Sequence, residues 1–447
     1  MRATLLSAVP TRVIVAAFVA LPFLVSAAAV ARDLYVAPIG DNSVSYAANS
    51  ITSPWQTVEH GIYNVHAGDT LWVRGGVYTP KYPVWLASDF ARQTGGGDPN
   101  ERMNAQSGTQ SAQVVIENYR GEQVTIDLAA MADAYLHLDN KSYWTFRGLR
   151  FINSAFVFIV GENYPTTFIT FDQLSVQANR GGDNTAAIHL WSGNADYAVI
   201  RNCVIRGPGQ GVHLNTGTIY LNAINHVSIL GNTLSDAPIG IYFKHRNTAT
   251  IVAQATIEVA YNYVTNTTRS SLEYNGSFSS IHDNIFGANT ASAHFGDANG
   301  GAGADYNLIE HNTFLSGSLN FDSAIDSTDP FPGVVGNTVR DNLFMASLSV
   351  TQYTSAPNTN TFGRNVYPAS NAIVSYNNLV AISSDSIIGK PTYVGGTVPM
   401  LILGFRLAPG SIGVKTATDG TDMGANIDKM LQRSVAPPLP PDPITVK

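Results

Sequence analysis

The sequence predicts an all-β solenoid of parallel strands, and two repeated patterns carry that prediction. The first is an asparagine set after a short β-rich run, at Asn202, Asn232, Asn262, Asn284, Asn312, Asn342 and Asn365, with intervals of 22 to 30 residues. The second is an apolar-x-apolar-x strand that returns nine times, from Leu136-His137-Leu138-Asp139 to Leu348-Ser349-Val350-Thr351. A period of this size matches one coil of a β-solenoid, whose coils stack at about 4.8 Å so that equivalent residues line up as ladders. Asparagine suits such a corner because it tolerates left-handed backbone and its amide can bond the amides above and below.

Taken in order, the chain opens with a basic start (Arg2, Arg12), an apolar run from Val13 to Val30 and the small-residue site Ala29-Val30-Ala31. Residues 1–31 therefore read as a cleaved secretory signal, which places the mature protein outside the cytoplasm, secreted or periplasmic. Asp33-Leu34-Tyr35-Val36 and the run Val65 to Tyr78 are strand-like, with one short helical stretch near 56–64 that serves as an N-terminal cap. Lys81 to Gly108 is polar and Gly-rich and is expected to be a long surface loop. Strand signals return at Val114-Val115-Ile116 and Val124-Thr125-Ile126. One β-helix domain is expected over 32–430, with coils clearest over 114–370 and Gly410 to Asp428 as a last irregular coil. The Pro-rich tail 431–447 cannot join a ladder and is expected to be disordered.

Cys203 is the only cysteine, so no intrachain disulfide forms, and its apolar, strand-like setting predicts a buried structural thiol. A net charge of -7, with 13% of residues charged, excludes a broad basic face. Nucleic acid and anionic membrane are accordingly not expected as partners. The chain is expected to act as a monomer.

Alternation along the second repeated strand puts its first and third members in the core and its second and fourth outside. One outward column then runs His189, His213, Tyr242, Glu273, His294, Asn320, and another runs Trp191, Asn215, Lys244, Asn275, Gly296, Asp322. Chemically able groups far apart in sequence thus share one stripe, with the basic run Lys244-His245-Arg246 near its centre.

These patterns, with Val65 to Tyr78 as an opening and the Asn-marked coils up to about residue 370, resemble the right-handed parallel β-helix proteins of the polysaccharide lyase type. The resemblance implies a right-handed, single-stranded parallel β-helix. Within that group Gly240 to Lys244 looks most like the strand bearing the catalytic lysine of the chondroitinase B and alginate lyase family. That family places an arginine one coil on and a Glu-x-Glu just before the lysine to help hold calcium. Here those positions are Asn275 and the pair Ala237 and Ile239, so an arginine can come only from Arg246 or Arg269. No metal ligand is assigned, and calcium is the single cofactor that the resemblance brings into view.

Eliminative cleavage of a uronic acid polymer needs a group to offset the carboxylate, a base for the proton beside it and an acid for the leaving oxygen. Lys244 is the candidate base, its proton affinity lowered by positive charge from His245 and Arg246. Arg246 or Arg269 is the carboxylate clamp; Tyr242, Tyr274, His213 or His294 is the proton donor; Glu273 pairs with Lys244 or an arginine. His189, Trp191, Asn215, Asn275, Asp297 and Asp322 are candidate substrate contacts, Trp191 by stacking on a sugar ring. Hydrolysis would need two carboxylates roughly 5 to 9.5 Å apart, and no tight pair lies within one coil. The sequence thus points first to a lyase on an acidic polysaccharide. A non-catalytic carbohydrate-binding or adhesion β-helix and a glycoside hydrolase are the alternatives.

Overall fold

The computed structural model describes residues 31–433, apart from 133, 155, 192, 210–214, 245–255, 297–303, 324–333, 347, 353–358, 376–381 and 398. Residues 1–30 of the expected signal and 434–447 of the expected tail lie outside the described residues; 431–433, assigned to that tail, instead close the helix Ile427–Arg433.

Short β-rich runs wind into stacked coils in which the pairings between named strands are parallel. One sheet holds 12 strands, from Asp33–Val36 to Thr361–Phe362. The other strands make two further sheets, joined where the 11-residue strands Ile285–Phe295 and Thr313–Ser323 run round the corner between them. The fold is a parallel β-helix. Its interior is filled by equivalent side chains stacked coil on coil, as in Phe243–Tyr274, Tyr274–Phe295 and Phe295–Phe321, whose ring centroids lie 4.7, 5.7 and 5.0 Å apart. Burying one such ring contributes about 1.5–3 kcal/mol.

The asparagine ladder is real but begins one coil later than the sequence suggests. Each of Asn232, Asn262, Asn284, Asn312 and Asn342 donates both its backbone N–H and its Nδ2 to Oδ1 of the next, ending on Asn365. At the top, Cys203 occupies the ladder position and its N–H donates to Asn232 Oδ1. Asn202 stands one residue earlier, in the left-handed corner (φ 55°) that Tyr261, Asp283, His311 and Asp341 occupy in other coils. Left-handed geometry therefore falls to the residue before the ladder, and the ladder asparagines are chosen for their amide bonds. A second ladder, Asn307 to Asn337 to Asn360, was not visible in the spacing.

At the amino-terminal end the helix Val58–Asn64 is capped by Thr57, whose side chain accepts from His60 N, and it buries Val58, Ile62 and Tyr63. The stretch expected to be a surface loop, 81–108, contains more structure. Val84–Trp85 pairs with Leu136–Leu138, and Ser88 caps a short helix over Asp89–Thr94. Gly410 to Asp428 does not form a coil. Gly424 N bonds Asp341 O and Asn426 N bonds Asp283 Oδ1, so the segment lies along the flank of the stack and ends in the helix Ile427–Arg433. No helix among the described residues is long and apolar enough to cross a membrane.

Candidate active site

The outward column is set by register. His189 pairs with Tyr220, Tyr220 with Tyr242, Tyr242 with Glu273, Glu273 with His294 and His294 with Asn320. The rung assigned to Val212-His213-Leu214-Asn215 is a misreading. The strand of that coil is Gly217–Asn222, in which Ile219-Tyr220-Leu221-Asn222 has the same apolar-x-apolar-x pattern seven residues later. Tyr220 takes the place given to His213, which lies outside the described residues, and Asn222 pairs with Lys244. Asn215 sits in the turn before that strand and reaches the site from there.

Lys244, the last residue of Ile239–Lys244, is half-buried and donates from Nζ to Asn184 Oδ1 at 3.2 Å. Tyr220 Oη donates to the same oxygen at 3.4 Å. Asn184 belongs to the turn Asp183-Asn184, and its Nδ2 donates to Asp183 Oδ2 at 3.1 Å. Asp183 Oδ1 accepts from Asn215 Nδ2 at 3.0 Å, and Asn215 Oδ1 accepts from Arg269 Nη1 at 3.2 Å. Arg269 Nε lies 2.6 Å from Glu273 Oε1. Lys244 and Arg269 are thereby joined through three side chains, Asn184, Asp183 and Asn215. The first two of these carried no sequence signal, because they lie in a polar turn outside the strand pattern.

The sequence-predicted residues separate on this geometry. Arg246 and Asp297 lie outside the described residues, as does His245; Arg269 is linked to Lys244 only through Asn184, Asp183 and Asn215. Glu273 is buried and pairs with Arg269. Tyr274 is not a proton donor: it is fully buried between Phe243 and Phe295. Tyr242 faces outward yet is buried, its ring stacked on Tyr220 at 4.9 Å. His294 is half-buried in register with Glu273. Asp322 pairs with Thr351 in the strand register, away from the His294–Asn320 column.

His189 and Trp191 make a different surface from the one expected. His189 is 1% exposed, packed against Trp191 at 4.3 Å and Tyr220 at 4.2 Å. Burial lowers its pKa to about 3, so it stands as a neutral imidazole, with Nε2 unpartnered among the described residues. Trp191, partly exposed, is the ring in this group that a ligand reaches. Asn275 is buried, 4% exposed, with Oδ1 unpartnered among the described residues.

A calcium ion takes six to eight oxygens. Asp183 accepts from Asn184 and Asn215 and Glu273 is paired with Arg269, while the amide oxygens of Asn184 and Asn215 already accept from Lys244 and Arg269. Ala237 and Ile239 are fully buried apolar residues. Among the described residues no group of three or more His, Cys, Asp or Glu side chains could hold a metal. The described donor set around Lys244 does not fit calcium.

Residues 34–205 match the family model described as Pel9A-like, right handed beta helix region. Pectate lyase PEL9 of Emericella nidulans is 31% identical over 143 residues, covering 29% of this chain and 30% of that protein. The chain thus spans less than a third of that curated relative's length. The crystal structure of pectate lyase Pel9A superposes with a TM-score of 0.54 and 14% identity, over 89% of this chain and 96% of the other. In fold, this chain is a right-handed parallel β-helix. The matched segment includes Asp183, Asn184, His189 and Trp191 but stops before Lys244 and Arg269. Those two residues are linked through Asn184, Asp183 and Asn215.

Proposed function

We propose that this protein is a secreted or periplasmic polysaccharide lyase that cleaves a uronic acid polymer by β-elimination, with pectate the first substrate to test. The observation that carries the reading is the hydrogen-bonded chain that links one lysine, Lys244, to one arginine, Arg269, through Asn184, Asp183 and Asn215. The similarity to a pectate lyase supports the choice of polymer. Arg269, with contacts to Glu273 and Asn215, keeps further N–H groups of its five to offset the substrate carboxylate.

Neutral Lys244 takes the proton from the carbon beside that carboxylate. The electrons of the broken C–H bond form the new C=C as the bond to the leaving oxygen breaks. That oxygen then takes a proton, for which His294, two coils along the same face, is the candidate donor. Trp191 offers a ring face to a neighbouring sugar.

The test is incubation with polygalacturonate, alginate and chondroitin while following the absorbance of unsaturated products. Product from polygalacturonate that disappears in Lys244→Ala supports the reading. Full activity in Lys244→Ala removes Lys244 as the base, and binding without product on every polymer favours a carbohydrate-binding β-helix.

A further inference from the structure

We infer that Asn184 is a positioning residue that fixes the orientation of Lys244 and meets its ammonium with a neutral acceptor. This rests on Lys244 as the base and goes beyond it to a residue in a different coil. Asn184 lies 60 residues before Lys244 in sequence, in a turn where its backbone is left-handed, with φ 57°. Its carbonyl oxygen has two lone pairs, and the two donors aimed at it are Lys244 Nζ and Tyr220 Oη. Its Nδ2 is tied to Asp183, which Asn215 holds in turn. The amide is therefore fixed at both ends, with its oxygen toward the lysine.

The chemical identity of the residue matters as much as its position. An acceptor on an ammonium favours the charged form, and a full negative charge does so far more strongly than a neutral amide. A base has to give up its proton before it can take one. A neutral acceptor holds Lys244 in place without holding that proton; a carboxylate at the same distance would hold both. Among the described residues the neighbouring strands and turns also bring Tyr242 on its own strand, Tyr220 and Asn222 on the preceding strand, and Glu273 with Arg269 on the following coil. Asp183 stands behind Asn184, and His245 and Arg246 follow Lys244 in sequence. Glu273 is paired with Arg269 and Asp183 is bonded to Asn184 and Asn215, whereas Asn184 bonds Lys244 itself, so a change of charge at 184 acts on the lysine at hydrogen-bond distance.

The experiment compares wild type, Asn184→Asp and Asn184→Gly. Lys244 is labelled with acetic anhydride across a pH series and read by peptide mass spectrometry, and kcat and KM on polygalacturonate are measured over the same range. Glycine deletes the amide while accepting the left-handed backbone, and circular dichroism confirms that each variant is folded. Asn184→Asp is expected to move the labelling midpoint of Lys244 up by about one pH unit or more. The acid-side limb of kcat, on which activity rises as Lys244 loses its proton, should move up with it. Asn184→Gly is expected to lower kcat about tenfold with KM changed less than about twofold, as loss of a bond to a charged group predicts. The same labelling midpoint in all three proteins overturns the inference. Because labelling does not depend on turnover, it separates this outcome from failure of the lyase assignment, which Lys244→Ala tests on its own.

Discussion

Arg269 Nε and Glu273 Oε1 lie 2.6 Å apart at the edge of the strand Ser270–Tyr274, and Ser270 Oγ donates to the same carboxylate oxygen at 2.9 Å. Glu273 is buried, whereas Arg269 is 27% exposed, so the acid fixes the arginine and the arginine stays within reach of a ligand. Arg269→Ala leaves a buried carboxylate without its cation and should cost about 1–3 kcal/mol of stability. In steady-state kinetics the same variant should raise KM for an acidic polymer, and the rise should shrink at high salt. Glu273→Gln should keep the fold and raise KM less than Arg269→Ala does.

The amide ladder should behave as a chain of buried bonds. Asn312 donates to Ile281 O, Glu310 O and Asn342 Oδ1 and accepts from Asn284. Replacing Asn312 with alanine leaves several of these groups unsatisfied and should cost about 3 kcal/mol in denaturant unfolding. Asn202→Gly, outside the ladder and in a left-handed corner, should cost about 1 kcal/mol or less.

His282 links stability to pH. Burial by itself lowers its pKa, but hydrogen bonds to Asp283 and Glu258 outweigh that and raise it to about 9 from the usual 6.5. A raised pKa means that the folded state binds the proton more tightly. The contribution is complete below about pH 6.5 and is lost as pH rises through about 9; it is on the order of 3 kcal/mol. Unfolding measured at pH 6 and pH 10 should show this loss, and His282→Gln should flatten it. Asp283 also accepts from Asn426 N, so the carboxyl-terminal segment should loosen over the same range.

Cys203 is fully buried, and burial pushes its thiol up to about 12. The native protein should not react with a disulfide reagent near neutral pH, and one equivalent should react once it is unfolded. Fast labelling of the folded protein would contradict the ladder-top position assigned to this residue.

By itself the sequence determined the parallel coils, the asparagine period, the buried cysteine and the alternation that turns Tyr242, Glu273 and His294 outward. These are local signals: a strand has a two-residue period, and a coil has a nearly constant length, so a one-dimensional pattern records both. The same reasoning misplaced one rung, because Val212-His213-Leu214-Asn215 and Ile219-Tyr220-Leu221-Asn222 satisfy the same pattern and only pairing against Ile239–Lys244 separates them. Only the tertiary structure brought Asn184 to Lys244 and Asn215 to Arg269, across 60 and 54 residues. Those contacts come from turns, whose paths have no period to read, and they form because stacking the coils lays the turn of one coil over the strand of another.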